Sequence, residues 1–491
     1  MRKNRKNRLP GLLLAVALVV LEALFVGLLA STKLVPNKLL LIGCGALLVV
    51  TVLLWLLLWD WSKKGRWVCG AVLSLVLVVA LGAASFYIDR TVDMLNNITG
   101  TSVEVADVAV YVRAGDSAQG LEDIKGYTIG ILESQDRENT DKLLQKLKTD
   151  LGGSVETAAY DKMALLVEEL LLGKNIQAII LNTAYFDLIS EMEGMEAVAT
   201  GLRQLHVAQV ETVVEKEPEV TEPETTVPEG QLPCFTMYLS GVDTYGDIMT
   251  KSRSDVNILA VVNPNTRQVL LLSTPRDYYV ELPIYGGVMD KLTHAGIYGV
   301  DVSMETLEDL YDVKINYYFR VNFSGFQDIV DALDGITVDS EFSFYSVDGY
   351  YYEEGENLLY GEKALSFARE RNAFGAGDIQ RGKNQMAVIR AVIEKALSPV
   401  LLTNFTEIME SLEGSFETSM PYDLMAEIVR AQLEDMGSWN IVTHNVSGEG
   451  NMLDCFSSSE TLYVMMQDEE LVAHAAELIS KVKKGEILTQ E

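Results

Sequence analysis

The chain has 491 residues, with 39 Lys and Arg against 70 Asp and Glu and a formal net charge of −31. That length leaves room for about three domains, and the acidic balance argues against a nucleic-acid partner, which needs a basic footprint. Only 4 cysteines are present and none lies in a cysteine–histidine metal spacing, which excludes a disulfide-rich scaffold and a structural zinc module.

Three apolar runs open the chain, Gly11–Ala30, Leu39–Trp59 and Trp67–Ile88, each close to the ~20 residues that cross a bilayer as helix. Three in succession, with no small-residue cleavage site after the first, read as retained spans rather than a signal peptide. Arg2, Lys3, Arg5, Lys6 and Arg8 precede the first run, and Lys63, Lys64 and Arg66 separate the second from the third. By the positive-inside rule these segments are cytoplasmic. Residues 1–90 are therefore expected to be a multi-pass anchor in the cell membrane with a cytoplasmic N-terminus, and everything beyond about residue 90 to be extracytoplasmic. Glu22 inside the first run reads either as a functional intramembrane carboxylate or as a bundle-facing group with a local partner. Trp55, Trp59, Trp61 and Trp67 look like interfacial anchors.

The first 90 residues hold 11 of the basic and 3 of the acidic residues, which leaves 28 against 67, a net of −39, for the remainder. A local phosphate site remains compatible with that sign, because exposed charges are screened beyond about 8 Å at physiological salt. Cys44 and Cys69 fall in the spans, so Cys234 and Cys455 are the two thiols that could pair outside the membrane.

Residues 91–205 are expected to form a small α/β accessory domain. Short apolar runs at Val108–Val112, Thr128–Leu132 and Ala178–Leu181 alternate with helical patterns at Thr140–Leu151 and Lys162–Leu172. The stretch Leu121 to Leu132, with Ile124-Lys125-Gly126 leading into a strand, resembles one lobe of an extracytoplasmic solute-binding protein. That leaves a ligand-binding lobe and a spacer or interaction domain as alternatives. Residues 206–232, with prolines at 218, 223 and 228, are too charged and too rich in Glu, Thr and Pro to form a core. They read as an extended linker.

Residues 233–485 carry strand patterns at Phe235–Ser240, Val256–Val262, Val269–Ser273 and Asn316–Val321, interleaved with helical ones at Ser303–Tyr311, Ser324–Leu333 and 383–396. The interleaving predicts an α/β fold with a layered α-β-α domain around a mostly buried sheet. Within this acidic region Arg369, Arg371, Arg381 and Lys383 gather in fifteen residues. Guanidinium forks bond two phosphate oxygens at once, so such a cluster points to an anion. Asp378, among Gly375, Gly377 and Gly382, is expected in a glycine-rich loop that feeds the N-terminus of the 383–396 helix.

The words Ser252-Arg253-Ser254-Asp255, Thr274-Pro275-Arg276-Asp277, Asp290-Lys291-Leu292-Thr293-His294-Ala295, Arg369-Glu370-Arg371 and Asp378-x-x-Arg381-x-x-Asn384-Gln385 together resemble the LytR-CpsA-Psr family of membrane-anchored cell-wall enzymes. The resemblance runs from about Phe235 to Val482, and three spans with an accessory domain look like its capsule-associated branch. Much of the family has Arg where Asn384 stands, so Asn384 is not counted as an anion ligand. What the resemblance implies is transfer of a glycopolymer, capsular or teichoic-acid-like, from an undecaprenyl-pyrophosphate carrier to a peptidoglycan hydroxyl, with pyrophosphatase activity as a side reaction. The implied partners are the lipid-linked glycan, peptidoglycan, the membrane and capsule assembly proteins.

The implied pyrophosphate ligands are Arg276, Lys291, Arg369, Arg371 and Arg381, with Gln385 positioning a phosphate or its arginine partners. Asp255 and Asp378 are hard oxygen ligands for Mg²⁺ or Mn²⁺, and the catalytic set is Asp255, Arg276, Asp277, Arg371 and Asp378. Asp277 reads equally as a general base or as an orienter of Arg276. His294 reads as a proton-transfer group or, as a lone histidine in an aromatic-rich stretch, as a structural hydrogen-bonding residue. Two rivals stand beside the enzyme: a regulator of wall or capsule gene expression, for which the cytoplasmic loops are too short, and a non-catalytic receptor for lipid-linked sugars. No nucleophile elbow, Walker loop or zinc-protease helix occurs in the chain.

Overall fold

A computed structural model of the chain describes residues 9–59, 64–98, 103–191, 195, 198–213, 231–244, 248–375, 377–398, 414–458 and 460–490. The basic residues ahead of the first span, Trp61 and Lys63 between spans, and most of the expected linker lie outside them. The chain divides into two compact units, one holding residues 1–100, 396–413 and 420–438, the other holding the rest.

The first unit contains three helices long and apolar enough to cross a membrane, α1 (Leu9–Ser31), α2 (Asn37–Leu58) and α3 (Lys64–Ile98). The third continues past the expected end at Ile88, because the polar stretch 89–98 keeps helical hydrogen bonding beyond the apolar window. Glu22 is buried and accepts a hydrogen bond from Thr51 Oγ1 on α2. That is the local-partner arrangement. A further helix, Tyr422–Asp435, grips the turn between α1 and α2: Tyr422 donates to the Thr32 carbonyl at 2.8 Å, Arg430 Nε to the Lys33 carbonyl at 2.8 Å, and Lys33 pairs with Asp423 at 2.9 Å.

The second unit begins with the accessory domain: β1 (Val103–Arg113), β2 (Thr128–Leu132), α4 (Arg137–Leu151), β3 (Glu156–Tyr160), α5 (Met163–Leu172), β4 (Ala178–Asn182), α6 (Thr183–Glu191) and β5 (Leu202–Val213). Its sheet has the order β3-β2-β4-β1-β5. Alternation along β1 sends Val108, Val110 and Val112 to the layer under α4, and Ala109 and Tyr111 to the layer under α5 and α6. Residues 206–213, expected to start the linker, instead complete β5: they pair with β1 and bury Ala208 and Val210.

The following domain has β6 (Phe235–Val242), β7 (Ser254–Asn263), β8 (Gln268–Ser273), β9 (Tyr279–Leu282), β10 (Val288–Lys291), α7 (Leu292–Tyr298), α8 (Val300–Tyr311), β11 (Tyr317–Asn322), α9 (Phe323–Ala332), β12 (Ile336–Ser340), β13 (Phe344–Tyr345), β14 (Tyr351–Tyr352), β15 (Gly355–Leu359), α10 (Gly361–Arg369), α11 (Asp378–Ala396), β16 (Phe416–Thr418), β17 (Asn440–Asn445), β18 (Gly448–Cys455), β19 (Glu460–Gln467) and α12 (Glu469–Lys483). Its six-stranded mixed sheet runs β16-β11-β6-β7-β8-β17. Leu259, Val261, Leu270 and Leu272 face a cluster with Leu292, Leu307 and Ile479 of α7, α8 and α12. Their neighbours Ile258, Ala260, Val269 and Leu271 face Met386 of α11. Both sheet faces are covered, which is why these strands read as unbroken apolar runs.

The two domains share one apolar cluster, in which Leu166, Leu181 and Leu188 of the accessory domain pack with Ile297, Cys455, Leu462 and Val464. Cys234 and Cys455 are both free thiols. The pairing considered from sequence is not formed, because Cys455 is buried in that shared cluster while Cys234 stands just ahead of β6.

Candidate functional site

A cleft opens beyond the C-terminal ends of β8 and β17, which run parallel. Its walls include Asp255, Thr274, Arg276, Arg381, Gln385 and Met465. Such crevices outside strand ends are where open α/β sheets bind ligands. Asp255 reaches it through a β-bulge: Val256 pairs with Gly241 and Ser254 with Val242, so Asp255 is the extra residue. Gly241 permits the bulge, since a Cβ there would lie 2.6 Å from Val256 Cγ2.

Arg276 Nη1 donates to both Asp255 oxygens, at 2.9 and 3.0 Å. Its Nε lies 3.7 Å from Asp277, whose other oxygen is 3.3 Å from Lys291 Nζ. Asp277 thus stands between two cations. Thr293 Oγ1 donates to Asp255 at 3.3 Å. Burial alone would raise the Asp255 carboxyl, but the charges of Arg276, Arg381 and Arg253 overcome it and hold the group below the usual carboxylate range.

The helix α11 begins at Asp378, not at 383 as the sequence implied. Gly377, at φ +51°, ends the loop, and Arg381 N–H already bonds the Gly377 carbonyl at 3.2 Å. Gly382 is therefore inside the helix, and a Cβ there would stand 3.6 Å from Ser273 Oγ on the cleft wall. Arg381 and Gln385, one turn apart, face the cleft together. The side chain of Asp378 lies outside the described residues.

Arg369 and Arg371 are exposed and do not join that cleft wall. The Arg369 guanidinium lies 4.3 Å over the Phe323 ring. Between them Glu370 is buried, accepting from the backbone N–H groups of Val347 and Ala373 at 2.7 and 2.8 Å, which fixes the course of the segment. His294 is fully buried, with Nδ1 2.6 Å from Asp290, and the cleft wall does not include it. That is the structural arrangement. Sequence reasoning passed over Arg253, buried, 3.5 Å from Asp243 and one of the charges that lower Asp255. The signal was present, since it adjoins Asp255 and a buried arginine is rarely unpaired.

A family model described as LytR-CpsA-Psr matches residues 205–475, more than half of the chain. The chain belongs to the LytR-CpsA-Psr family. Curated relatives named polyisoprenyl-teichoic acid–peptidoglycan teichoic acid transferase TagU are 35% identical over 222 residues in Bacillus licheniformis, covering 45% of this chain and 70% of that protein. The one from Enterococcus faecalis is 34% identical over 246 residues, covering 50% and 78%. Crystal structures of Bacillus subtilis TagU and TagV are 29% and 25% identical, cover 52% of this chain and 99% and 98% of theirs, and superpose with TM-scores of 0.41 and 0.43. A second model, described as a DNA polymerase processivity factor, matches residues 63–181, which join a membrane-length helix to part of the accessory sheet.

Within this LytR-CpsA-Psr domain Asn384 is committed internally. It donates to the Phe367 carbonyl at 3.2 Å and accepts from Gln380 at 3.2 Å, tying α11 to α10. For a divalent cation, Asp255 is the fitting donor, an ionised carboxylate of hard oxygens. Among the described residues no group of three or more His, Cys, Asp or Glu could hold a metal.

Proposed function

We propose that this chain is a membrane-anchored phosphotransferase that moves a glycopolymer, as its sugar-phosphate, from an undecaprenyl-pyrophosphate carrier to a peptidoglycan hydroxyl. The observation that carries the reading is the convergence of Arg276, Arg381, Asp255 and Gln385 on one cleft. The names of the relatives supply the reaction class.

In this reading Arg276 and Arg381 cradle the pyrophosphate, and their planar forks suit its oxygens. Lys291 adds positive charge, and Asp277, 3.3 Å from its Nζ, orients it. Arg369 and Arg371 serve the outer part of the anionic substrate. Gln385 positions a phosphate oxygen from the turn after Arg381. Asp255 and Asp378 hold Mg²⁺ or Mn²⁺, which when bound supplies Lewis-acid neutralisation of charge developing on the phosphates. Water in place of the acceptor hydroxyl would give pyrophosphatase activity. The N-terminus is cytoplasmic and residues beyond about 90 are outside. Teichoic-acid-type and capsular donors share the pyrophosphate linkage, and assays with each separate them; capsule assembly proteins are partners in the second case only.

The test is Arg381→Ala in full-length protein. Loss of charge-assisted hydrogen bonds of about 1.5–3 kcal/mol each should weaken polyprenyl-pyrophosphate binding about ten- to a hundredfold, with Lys restoring part of it. Unchanged binding and transfer would remove the pyrophosphate assignment.

A further inference from the structure

The four residues Asp290 to Thr293 supply two contacts to carboxylates at the site, Lys291 to Asp277 at 3.3 Å and Thr293 to Asp255 of the cleft wall at 3.3 Å. What holds this segment is Asp290, a fully buried carboxylate. Its Oδ1 accepts from Lys291 N–H at 2.8 Å and lies 2.6 Å from His294 Nδ1. Its Oδ2 accepts from Ser457 N–H at 2.7 Å and Ser457 Oγ at 2.5 Å. Burial would raise this carboxyl, and His294 and Ser457 together bring it below the ordinary range. The group is thus an anion with four close polar partners, a rigid pin in low dielectric.

Ser457 sits in the turn of the β18–β19 hairpin, and the accessory domain holds that turn. Gln135 Nε2 donates to the Phe456 carbonyl at 2.7 Å. Tyr298 OH lies 3.0 Å from Ser457 Oγ, and Cys455, Leu462 and Val464 pack in the core shared with α5 and α6. The same hairpin returns to the cleft, where Met465 N–H bonds the Asp277 carbonyl at 2.7 Å and its side chain lines the wall. A continuous path of short contacts therefore runs from the accessory domain through Ser457 and Asp290 to Lys291 and Thr293.

We propose that Asp290, clamped by Ser457, is a positioning residue that sets Lys291 against Asp277 and Thr293 against Asp255 of the cleft wall, and that the accessory domain acts as the buttress for this clamp. The inference rests on the site reading above.

The test compares Ser457→Ala, Ser457→Thr and Ser458→Ala in full-length protein in detergent, with a synthetic undecaprenyl-pyrophosphate-disaccharide donor and peptidoglycan oligomers as acceptor. Ser458 shares the turn and is equally buried, but bonds the Cys455 and Glu460 carbonyls instead of Asp290. Ser457→Ala should lower transfer kcat about ten- to a hundredfold, the scale of a misplaced site group, while donor KM stays within about twofold. Ser457→Thr, which keeps the hydroxyl, should recover kcat, and Ser458→Ala should keep it at any Tm cost. Equal kcat losses in Ser457→Ala and Ser458→Ala, or none in Ser457→Ala, would overturn the proposal. Asp255→Asn and Arg276→Ala run alongside: if they abolish transfer while Ser457→Ala does not, the clamp fails and the site reading survives. If both retain full transfer, the site reading fails and the clamp with it.

Discussion

Asp255→Asn separates binding from chemistry with opposite signs. The side chain keeps its shape, and Arg276 Nη1, now 2.9 Å from an oxygen, retains one hydrogen bond while losing the charge opposite it. Asp255 is only 17% exposed and faces Arg276, with Arg381 and Arg253 also acting on it, so in the free protein it is the counter-charge of the cradle. Removing one negative charge about 6 Å from an incoming phosphate is worth about 3 kcal/mol at an effective dielectric of about 20. Screening at a cleft open to solvent cuts this to about 1 kcal/mol, or roughly fivefold tighter binding. Transfer should move the other way, because an amide is a poor Mg²⁺ ligand and the metal's share of charge neutralisation is lost. The assay is donor binding by calorimetry with and without Mg²⁺, and transfer measured in parallel. Donor affinity in metal-free buffer should rise or hold while Mg²⁺-stimulated transfer collapses. Full Mg²⁺-stimulated transfer in the variant would refute the metal role, and tenfold weaker metal-free binding would refute the counter-charge role. Because three arginines act on Asp255, a further expected outcome is that Mg²⁺ binds measurably only after the pyrophosphate has added its negative charge.

Burial pushes the Cys234 thiol up to about 11 and the Cys455 thiol up to about 12, so both should label slowly in native protein near neutral pH. All four cysteines should react without reductant after denaturation; only two reactive thiols, with Cys234 and Cys455 unlabelled, would show a bridge. Asp255 and Asp290 both have lowered carboxyl pKa values, so their stabilisation is present above the unfolded value of about 3.9 and lost as pH falls through the folded values. The thermal midpoint should therefore drop below about pH 4, less steeply in Asp290→Asn, and a midpoint flat down to about pH 3 would contradict it. A reporter fused after residue 95 should be active only outside the cell and one at Lys64 only inside; reversed signals would remove the extracytoplasmic reading.

The sequence by itself determined the elements whose cause is local. Near-continuous apolar runs in Val256–Val262 and Val269–Ser273 announced buried strands that feed cores on two faces, and three runs of membrane-crossing length announced α1, α2 and α3. The words that resemble the LytR-CpsA-Psr family also pointed to four groups that share the cleft, Asp255, Arg276, Arg381 and Gln385. Tertiary structure decided the rest. That Arg381 and Gln385 lie within one helix from Asp378 depends on how the glycine loop ends, which apolar periodicity starting at Met386 does not report. That β5 runs to Val213 depends on pairing with β1 about a hundred residues earlier. The bond between Asp290 and Ser457 spans 167 positions. Composition and periodicity describe what each segment wants to bury; which distant partner satisfies a buried charge is settled only when the sheet closes and water is excluded from around it.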